Sequence, residues 1–94
     1  NIVMMRDIKY FESRGRHIII NLVDNQSIQY VGQLKNEIKK LPLNFVEIGK
    51  SYIINLKHMR ECHVSYVVMD DGKELGISRA YRNYFNEKIL EYNS

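Results

Sequence analysis

In the first third of the chain, short apolar runs alternate with short polar segments. The apolar runs cover residues 2–5, 8–11, 17–23 and 28–31. Polar segments at residues 13–16 and 24–27 have the composition of hairpin turns. This pattern predicts a series of antiparallel strands.

The period of the apolar positions changes after residue 32. Leu34, Ile38 and Leu41 lie four and three positions apart, which is the spacing along one face of a helix. Pro42, the only proline, cannot continue a helix. We therefore predict one short amphipathic helix over residues 33–41.

Strand patterns return in the second half of the chain. They cover residues 45–48, 52–54, 62–69 and, after an Asp-Gly turn at residues 70–73, residues 74–77. Residues 55–59 are ambiguous, with a single helical turn as one interpretation. Ser78 is predicted to cap a second helix, whose apolar face repeats at helical spacing as Tyr81, Phe85, Ile89 and Tyr92. The predicted fold is mostly β, with about seven or eight strands and two short helices.

Composition supports this fold and limits the size of the protein. The 94 residues leave no room for two cores, and 12 Ile and 7 Val against one Ala favour pleated sheets over helix bundles. The single cysteine excludes an intrachain disulfide, which favours a reducing compartment and predicts the cytoplasm. No apolar run is long enough to span a membrane. The chain begins with Asn1 rather than Met, so we expect another segment to precede it.

The sequence offers little support for catalysis. Cys62 and His63 are adjacent, but neighbours on a strand point to opposite faces, so a core cysteine beside a surface histidine is the favoured interpretation. His58 together with these two residues matches no zinc-binding spacing, and no phosphate-binding glycine loop is present. We predict a protein that is not an enzyme and that uses no metal or cofactor.

The positions of the basic residues are more informative than their number. The net charge is only +3, yet three basic groups fall at predicted turns or element ends. These groups are Arg14, Arg16 and His17, then Lys50, Lys57, His58 and Arg60, then Arg79 and Arg82. A solvated side chain is an equally good interpretation for any single one, and Lys35, Lys39 and Lys40 are predicted to form a solvated helix face. Clustering at loops favours DNA, because arginine can pair with guanine and lysine can neutralise phosphate.

Three blocks of the sequence stand in a fixed order: DIKYFES at residues 7–13, FVEIGKSYIIN at residues 45–55 and GISR at residues 76–79. Together they resemble the LytTR family of bacterial DNA-binding domains. The resemblance covers almost the whole chain. It implies an elongated β-β-β fold of small antiparallel sheets, which serves as the output domain of a transcription regulator and often follows a receiver domain. It also implies loops that enter successive major grooves of double-stranded promoter DNA, with two copies on spaced direct repeats.

The resemblance assigns roles to individual residues. It implies that His17, Lys50 and Arg79 read bases, with a phosphate contact as the alternative for Lys50. The implied backbone or supporting contacts are Arg14, Arg16, Ser51, Tyr52, Lys57 and Arg82. Glu47 and Gly49 depart from the family pattern, which has a basic residue and a histidine there. Asn55 is predicted first to brace the turn after its strand, and Ser78 first to cap a helix.

A small module that binds single-stranded nucleic acid or a protein partner is the competing hypothesis. Its basis is a set of tyrosines on predicted strands, which could form a stacking platform for unpaired bases. They are Tyr10, Tyr30, Tyr52 and Tyr66. The helix face that begins with Tyr81 is predicted to be core rather than a dimer surface.

Overall fold

Eight strands form two antiparallel sheets in the computed structural model, which describes residues 2–94. The strands are β1 (Ile8–Arg14), β2 (His17–Leu22), β3 (Ser27–Val31), β4 (Phe45–Glu47), β5 (Tyr52–Asn55), β6 (Met59–Cys62), β7 (Tyr66–Met69) and β8 (Glu74–Gly76). The larger sheet has the order β3-β2-β1-β5-β4 and the smaller one β6-β7-β8. The prediction of a mostly β fold with small antiparallel sheets is confirmed.

Two short helices accompany the sheets. Helix α1 (Leu34–Glu37) continues into a 3₁₀ turn at Ile38–Lys40, and helix α2 (Arg82–Tyr92) follows a 3₁₀ turn at Arg79–Tyr81. Further 3₁₀ turns lie at Met5–Asp7 and Leu56–His58, and the second confirms the helical turn suggested for residues 55–59. The strand predicted over residues 2–5 is wrong, because this apolar run finds no neighbouring strand with which to pair.

The continuous strand predicted over residues 62–69 is also wrong, because the chain reverses at residues 63–65. The His63 N–H donates to the Tyr66 carbonyl at 2.9 Å and closes a tight turn between β6 and β7. Val64 stands at the tip of that turn and is 80% exposed. Cys62 lies on the edge strand β6 and is exposed, so its predicted core position is wrong as well. The turn was not predicted because the apolar residues alternate through it without interruption.

The larger sheet is buried on both faces by two separate clusters. Consecutive residues of a strand point to opposite faces, so Tyr10 and Ile54 face one cluster while Phe11 and Ile53 face the other. The first cluster lies between the two sheets and includes Phe85 of α2, which is fully buried. Tyr81 and Ile89 pack against the same cluster, which confirms the predicted core face for these residues and Phe85. Tyr92, the fourth residue of that predicted face, is exposed, so its predicted core position is wrong.

Asn55 braces the end of β5, as predicted. Its side chain is fully buried, and its Nδ2 donates to the Ile8 carbonyl at 2.9 Å. Its Oδ1 accepts from the Lys57 N–H at 3.0 Å and from Asn44 Nδ2 at 2.8 Å. One side chain thus joins β1, the segment before β4 and the turn after β5.

The links between the strands fall at two ends of the molecule, because the strands are antiparallel. The first, which we call the loop end, contains the β1–β2 turn, the β3–α1 link, the β4–β5 loop and the start of the segment after β8. The second, which we call the N-terminal end, contains the β2–β3 turn, the Met5–Asp7 turn, the Leu56–His58 turn and the β7–β8 turn. Predicted site residues can contact the same stretch of a ligand only if they lie at the same end.

Candidate nucleic-acid interface

Basic groups that are far apart in the sequence meet at the loop end. The Ser13 N–H donates to the Ser51 carbonyl at 2.8 Å, which joins the β1–β2 turn to the β4–β5 loop. The Ser78 N–H donates to the Ile48 carbonyl at 2.8 Å, which joins the same β4–β5 loop to the segment after β8. The three loops therefore form one hydrogen-bonded row. Its side chains are Arg14, Arg16 and His17 in the first loop, Lys50 and Ser51 in the second and Arg79 in the third.

The β1–β2 turn is narrow and well defined. Arg14 pairs with His17 across the two strands, which leaves only Gly15 and Arg16 in the turn. Gly15 has a φ of 62°, a left-handed conformation that glycine adopts without a steric penalty. A two-residue turn of this kind presents its flanking side chains on a stiff hairpin.

Close packing between Gly49 and Ser78 fixes the second loop against the third. A Cβ atom at position 49 would lie 2.7 Å from Ser78 Oγ, so only glycine fits without moving that hydroxyl. The Ser78 side chain makes no capping hydrogen bond to any described residue, so the predicted cap is wrong. Its hydroxyl instead packs over Gly49. This contact holds Lys50 and Arg79 at a set separation.

The acidic residues at the loop end are both engaged. The Glu12 carboxylate lies 3.0 Å from Arg14 Nη2, and Glu47 accepts a hydrogen bond from the Tyr84 hydroxyl at 2.7 Å. Burial and this bond to Glu47 raise the pKa of Tyr84, so the hydroxyl stays protonated and donating. Within residues 2–94 no carboxylate oxygen lies within 4 Å of a side-chain nitrogen of Arg16, Lys50 or Arg79. The row therefore presents cations that are available to an anionic ligand.

The sequence was compared with models of known protein families. The sequence model of the LytTr DNA-binding domain matches residues 1–90. The chain belongs to the LytTR family of DNA-binding domains. Membership makes it a DNA-binding domain that acts in transcription regulation, and the family is not one of enzymes. The resemblance seen in the three sequence blocks is confirmed.

A solved structure shows the same fold. The LytTr DNA-binding domain of a methyl-accepting/DNA response regulator from Bacillus cereus superimposes with a TM-score of 0.83 at 22% sequence identity. The match covers 93% of this chain and 84% of that one. A search of curated proteins gave no significant match.

Two further residues assigned to DNA contacts are only half exposed in this LytTR domain. The Tyr52 ring packs edge-on against Tyr10 with 6.0 Å between the ring centroids, and burial raises the pKa of Tyr52. The neutral hydroxyl remains a hydrogen-bond donor. Arg82 lies on the first turn of α2, and its Nε is buried without a hydrogen-bond partner among the described residues.

Lys57 lies apart from the other predicted contacts. It follows β5 at the N-terminal end, beside Arg6 and Asn44, whereas Lys50 and Ser51 precede β5 at the loop end. The structure therefore does not bring Lys57 into the row. The sequence pattern alone could not reveal this separation, because it depends on the direction of β5.

The sequence analysis missed a further segment of the loop end. Gln33 and Lys35, at the β3–α1 link, lie beside the β1–β2 turn and are both exposed. A signal for this placement was present, because three successive antiparallel strands return the end of β3 to the turn between β1 and β2.

The tyrosines of the LytTR domain do not form the predicted stacking platform. Tyr10 is buried in the cluster between the sheets, while Tyr30 packs against the cluster on the opposite face of the larger sheet. Tyr66 stacks on His63 in the smaller sheet, with 4.3 Å between the ring centroids. The prediction of one shared surface is wrong.

Other chemistry has little structural basis in the described part of the chain. Neighbouring atoms partly desolvate the exposed Cys62 thiol and raise its pKa, which disfavours the reactive thiolate. No group of three His, Cys, Asp or Glu side chains within residues 2–94 is placed to hold a metal ion. None of the helices in residues 2–94 has the length and apolar character needed to cross a membrane.

Proposed function

We propose that this LytTR domain recognises a specific promoter sequence in double-stranded DNA by inserting the loops of the loop end into successive major grooves. The observation that carries the proposal is the row of three loops, in which the β4–β5 loop is hydrogen-bonded to each of the other two. Its cations Arg16, Lys50 and Arg79 have no acidic partner within residues 2–94. A rigid row of this kind can contact DNA without first paying the entropy of ordering its loops.

The dimensions of the domain suit this mode of binding. The longest extent of the molecule is 34 Å, which is about one helical turn of B-DNA. A two-residue hairpin turn is narrow enough to enter a major groove about 12 Å wide. A molecule of this length can therefore reach two successive segments of the major groove on one face of the duplex.

Base reading is assigned to His17, Lys50 and Arg79. An arginine guanidinium can donate two hydrogen bonds to the N7 and O6 atoms of guanine, and lysine can donate to the same edge. The supporting contacts are assigned to Arg14, Arg16, Ser51, Tyr52 and Arg82, whose hydroxyl and guanidinium groups can bind phosphate oxygens. Lys57 can contact phosphate only if the DNA also reaches the N-terminal end.

A selected duplex tests the proposal directly. The chain is used to enrich duplexes randomised over about 20 base pairs, or two helical turns, and its affinity is then measured on the selected sequence and on a scrambled copy. We expect preference for the selected duplex and a linear fall in log affinity with log salt concentration, because bound cations displace counterions from phosphate. Equal affinity for both duplexes, or affinity independent of salt, would contradict the proposal.

Two wider features of the regulator belong to the same proposal. Two copies of the domain are expected on spaced direct repeats, so that inserting about half a helical turn between the repeats should weaken joint binding. A receiver domain in the same polypeptide is also expected, and the response-regulator origin of the Bacillus cereus structure supports it.

A further inference from the structure

The β3–α1 link lies directly beside the β1–β2 turn. Val31, the last residue of β3, pairs with His17, the first residue of β2. The next residue, Gly32, donates its N–H to the Arg16 carbonyl at 3.1 Å. The link is therefore a fourth member of the hydrogen-bonded row.

Buried neighbours on both sides fix the position of Gln33. A Cβ atom at Gly32 would lie 3.1 Å from Ile18 Cδ1 and 3.3 Å from the Tyr30 ring, so the backbone of the link rests directly on the core. Leu34 is buried in the cluster below. Gln33 lies between these anchors with an extended backbone and an exposed side chain. A side chain held in this way projects from a rigid base.

The Gln33 carboxamide is free to bind a ligand. Although Gln33 precedes α1 directly, its side chain makes no capping hydrogen bond with the described residues. A carboxamide has an NH2 group that can donate to N7 of adenine and a carbonyl oxygen that can accept from the N6 amino group, both on the major-groove edge.

Lys35 provides an available cation next to Gln33. Glu37 is the acid nearest to Lys35 in sequence, and its Oε1 lies 3.9 Å from Lys40 Nζ. Burial of the Tyr30 hydroxyl and the nearby Glu37 carboxylate raise the pKa of Tyr30 to about 12, so Glu37 also interacts with Tyr30. Within residues 2–94 no carboxylate oxygen lies within 4 Å of Lys35 Nζ. Lys35 and Lys50 line a common groove, which separates the β3–α1 link from the β4–β5 loop.

We propose that the β3–α1 link is a fourth DNA-contacting loop, in which Gln33 reads the edge of an adenine and Lys35 binds a phosphate. This inference rests on the proposed function and adds a specificity-determining residue to it. The lysine at position 35 is then part of the interface and not of a solvated helix face.

Matched variants separate the two roles of the link. The duplex selection is repeated with Gln33→Ala and with Gln26→Ala, which removes the same type of side chain from the β2–β3 turn at the N-terminal end. We expect Gln33→Ala to lose its preference for an A·T pair at one position and to bind the originally selected duplex about 5- to 100-fold more weakly. Gln26→Ala should behave like the wild type.

Lys35→Gln should weaken binding to the selected and scrambled duplexes alike and should lower the salt slope by about one. Lys39→Gln, farther along the same segment, is its control. Circular dichroism of each variant verifies that the fold is unchanged.

The outcome for Arg79→Ala in the same assay distinguishes failure of the fourth loop from failure of the proposed function. If Arg79→Ala loses a base preference while Gln33→Ala selects the same sequences as Gln26→Ala and Lys35→Gln binds like Lys39→Gln, the fourth loop is refuted and the proposed function stands. If the wild type selects no sequence at all, both fail. A weakened Lys35→Gln together with an unchanged Gln33→Ala would refute the base-reading role.

Discussion

Arg79 follows Ser78, whose backbone and side chain each make a contact that fixes its position. Ser78 donates its N–H to the Ile48 carbonyl, and its hydroxyl packs over Gly49. The backbone that carries the Arg79 side chain is therefore fixed, and no carboxylate oxygen in residues 2–94 lies within 4 Å of its guanidinium. At the scale of single residues, base reading by an arginine requires a fixed backbone, an exposed side chain and a guanidinium that can donate two parallel hydrogen bonds. Arg79 combines these properties.

Replacing Arg79 with Ala should weaken binding to the selected duplex by about 1–3 kcal/mol and relax specificity at one base pair. Affinity for the scrambled duplex should change much less, because a base contact is absent there. Titrations of both duplexes measure the difference. Arg60→Ala is the control, since Arg60 is an exposed arginine on β6 that lies near Glu61. Equal losses on the two duplexes would assign Arg79 to phosphate binding.

The elements of the loop end are coupled by small contacts rather than by a large interface. Gly49 is the clearest case, because any side chain at this position meets Ser78 at the start of the third loop. A methyl group there must displace the Ser78 hydroxyl and shift the β4–β5 loop relative to Arg79. The glycine thus sets the relative positions of Lys50 and Arg79, the two side chains on these loops to which base reading is assigned.

Gly49→Ala should therefore reduce affinity for the selected duplex by about tenfold, the consequence of losing about 1.4 kcal/mol of a well-oriented base contact. Its unfolding free energy should fall by less than about 1 kcal/mol, because only one exposed hydroxyl has to move. Urea unfolding and duplex titration measure the two quantities. The variant Gly49→Ala combined with Ser78→Gly removes the clash, and failure of the double variant to recover affinity would refute the coupling.

Much of this arrangement was predictable from the sequence, and the exceptions have physical causes. Strands β1 to β5 were located because turn residues such as Gly15 and Pro42 interrupt the apolar pattern. The turn at Val64 was missed because an exposed apolar residue there preserves the alternation. The sequence did not show that Lys57 lies apart from the row or that Gln33 lies beside the β1–β2 turn. Both placements depend on which strand ends meet, and a single sequence pattern does not record strand pairing.

At the scale of the whole molecule, the loop end and the N-terminal end differ in how their charged side chains are paired. The loop end carries Arg16, Lys50 and Arg79, which have no carboxylate oxygen within 4 Å among residues 2–94, while the N-terminal end contains ion pairs that join separate elements. Lys9, which is 5% exposed, pairs with Asp71 and so links β1 to the β7–β8 turn. His58 lies 2.7 Å from Asp70 through Nδ1 and 2.6 Å from the Arg6 carbonyl through Nε2. Because both neighbours are acceptors, both ring nitrogens can donate only when the imidazole is protonated.

Stability should therefore depend on pH through His58. Burial lowers the pKa of His58, but the hydrogen bonds to Arg6 and Asp70 outweigh it and raise the pKa above its usual value. The folded state then binds this proton more tightly than the unfolded state. The stabilisation is complete below about pH 6.5, the ordinary value, and is lost as the pH rises through the raised pKa.

His58→Gln should accordingly destabilise the domain most at acidic pH, and the difference from the wild type should shrink as the pH rises. Urea unfolding over a series of pH values measures it. His63→Gln serves as the control, because His63 is an exposed histidine in the turn between β6 and β7. A difference for His58→Gln that does not vary with pH would show that the charge on the ring contributes nothing.

Insertion of the loop end into the major groove is the central claim, and methylation interference on the selected duplex tests it most directly. Dimethyl sulfate methylates guanine N7 in the major groove and adenine N3 in the minor groove. We predict interference by guanines in two groove segments on one face of the duplex, about one helical turn apart, with one of them losing its effect in Arg79→Ala. Interference confined to adenine N3, or a pattern unchanged by Arg79→Ala, would contradict the account.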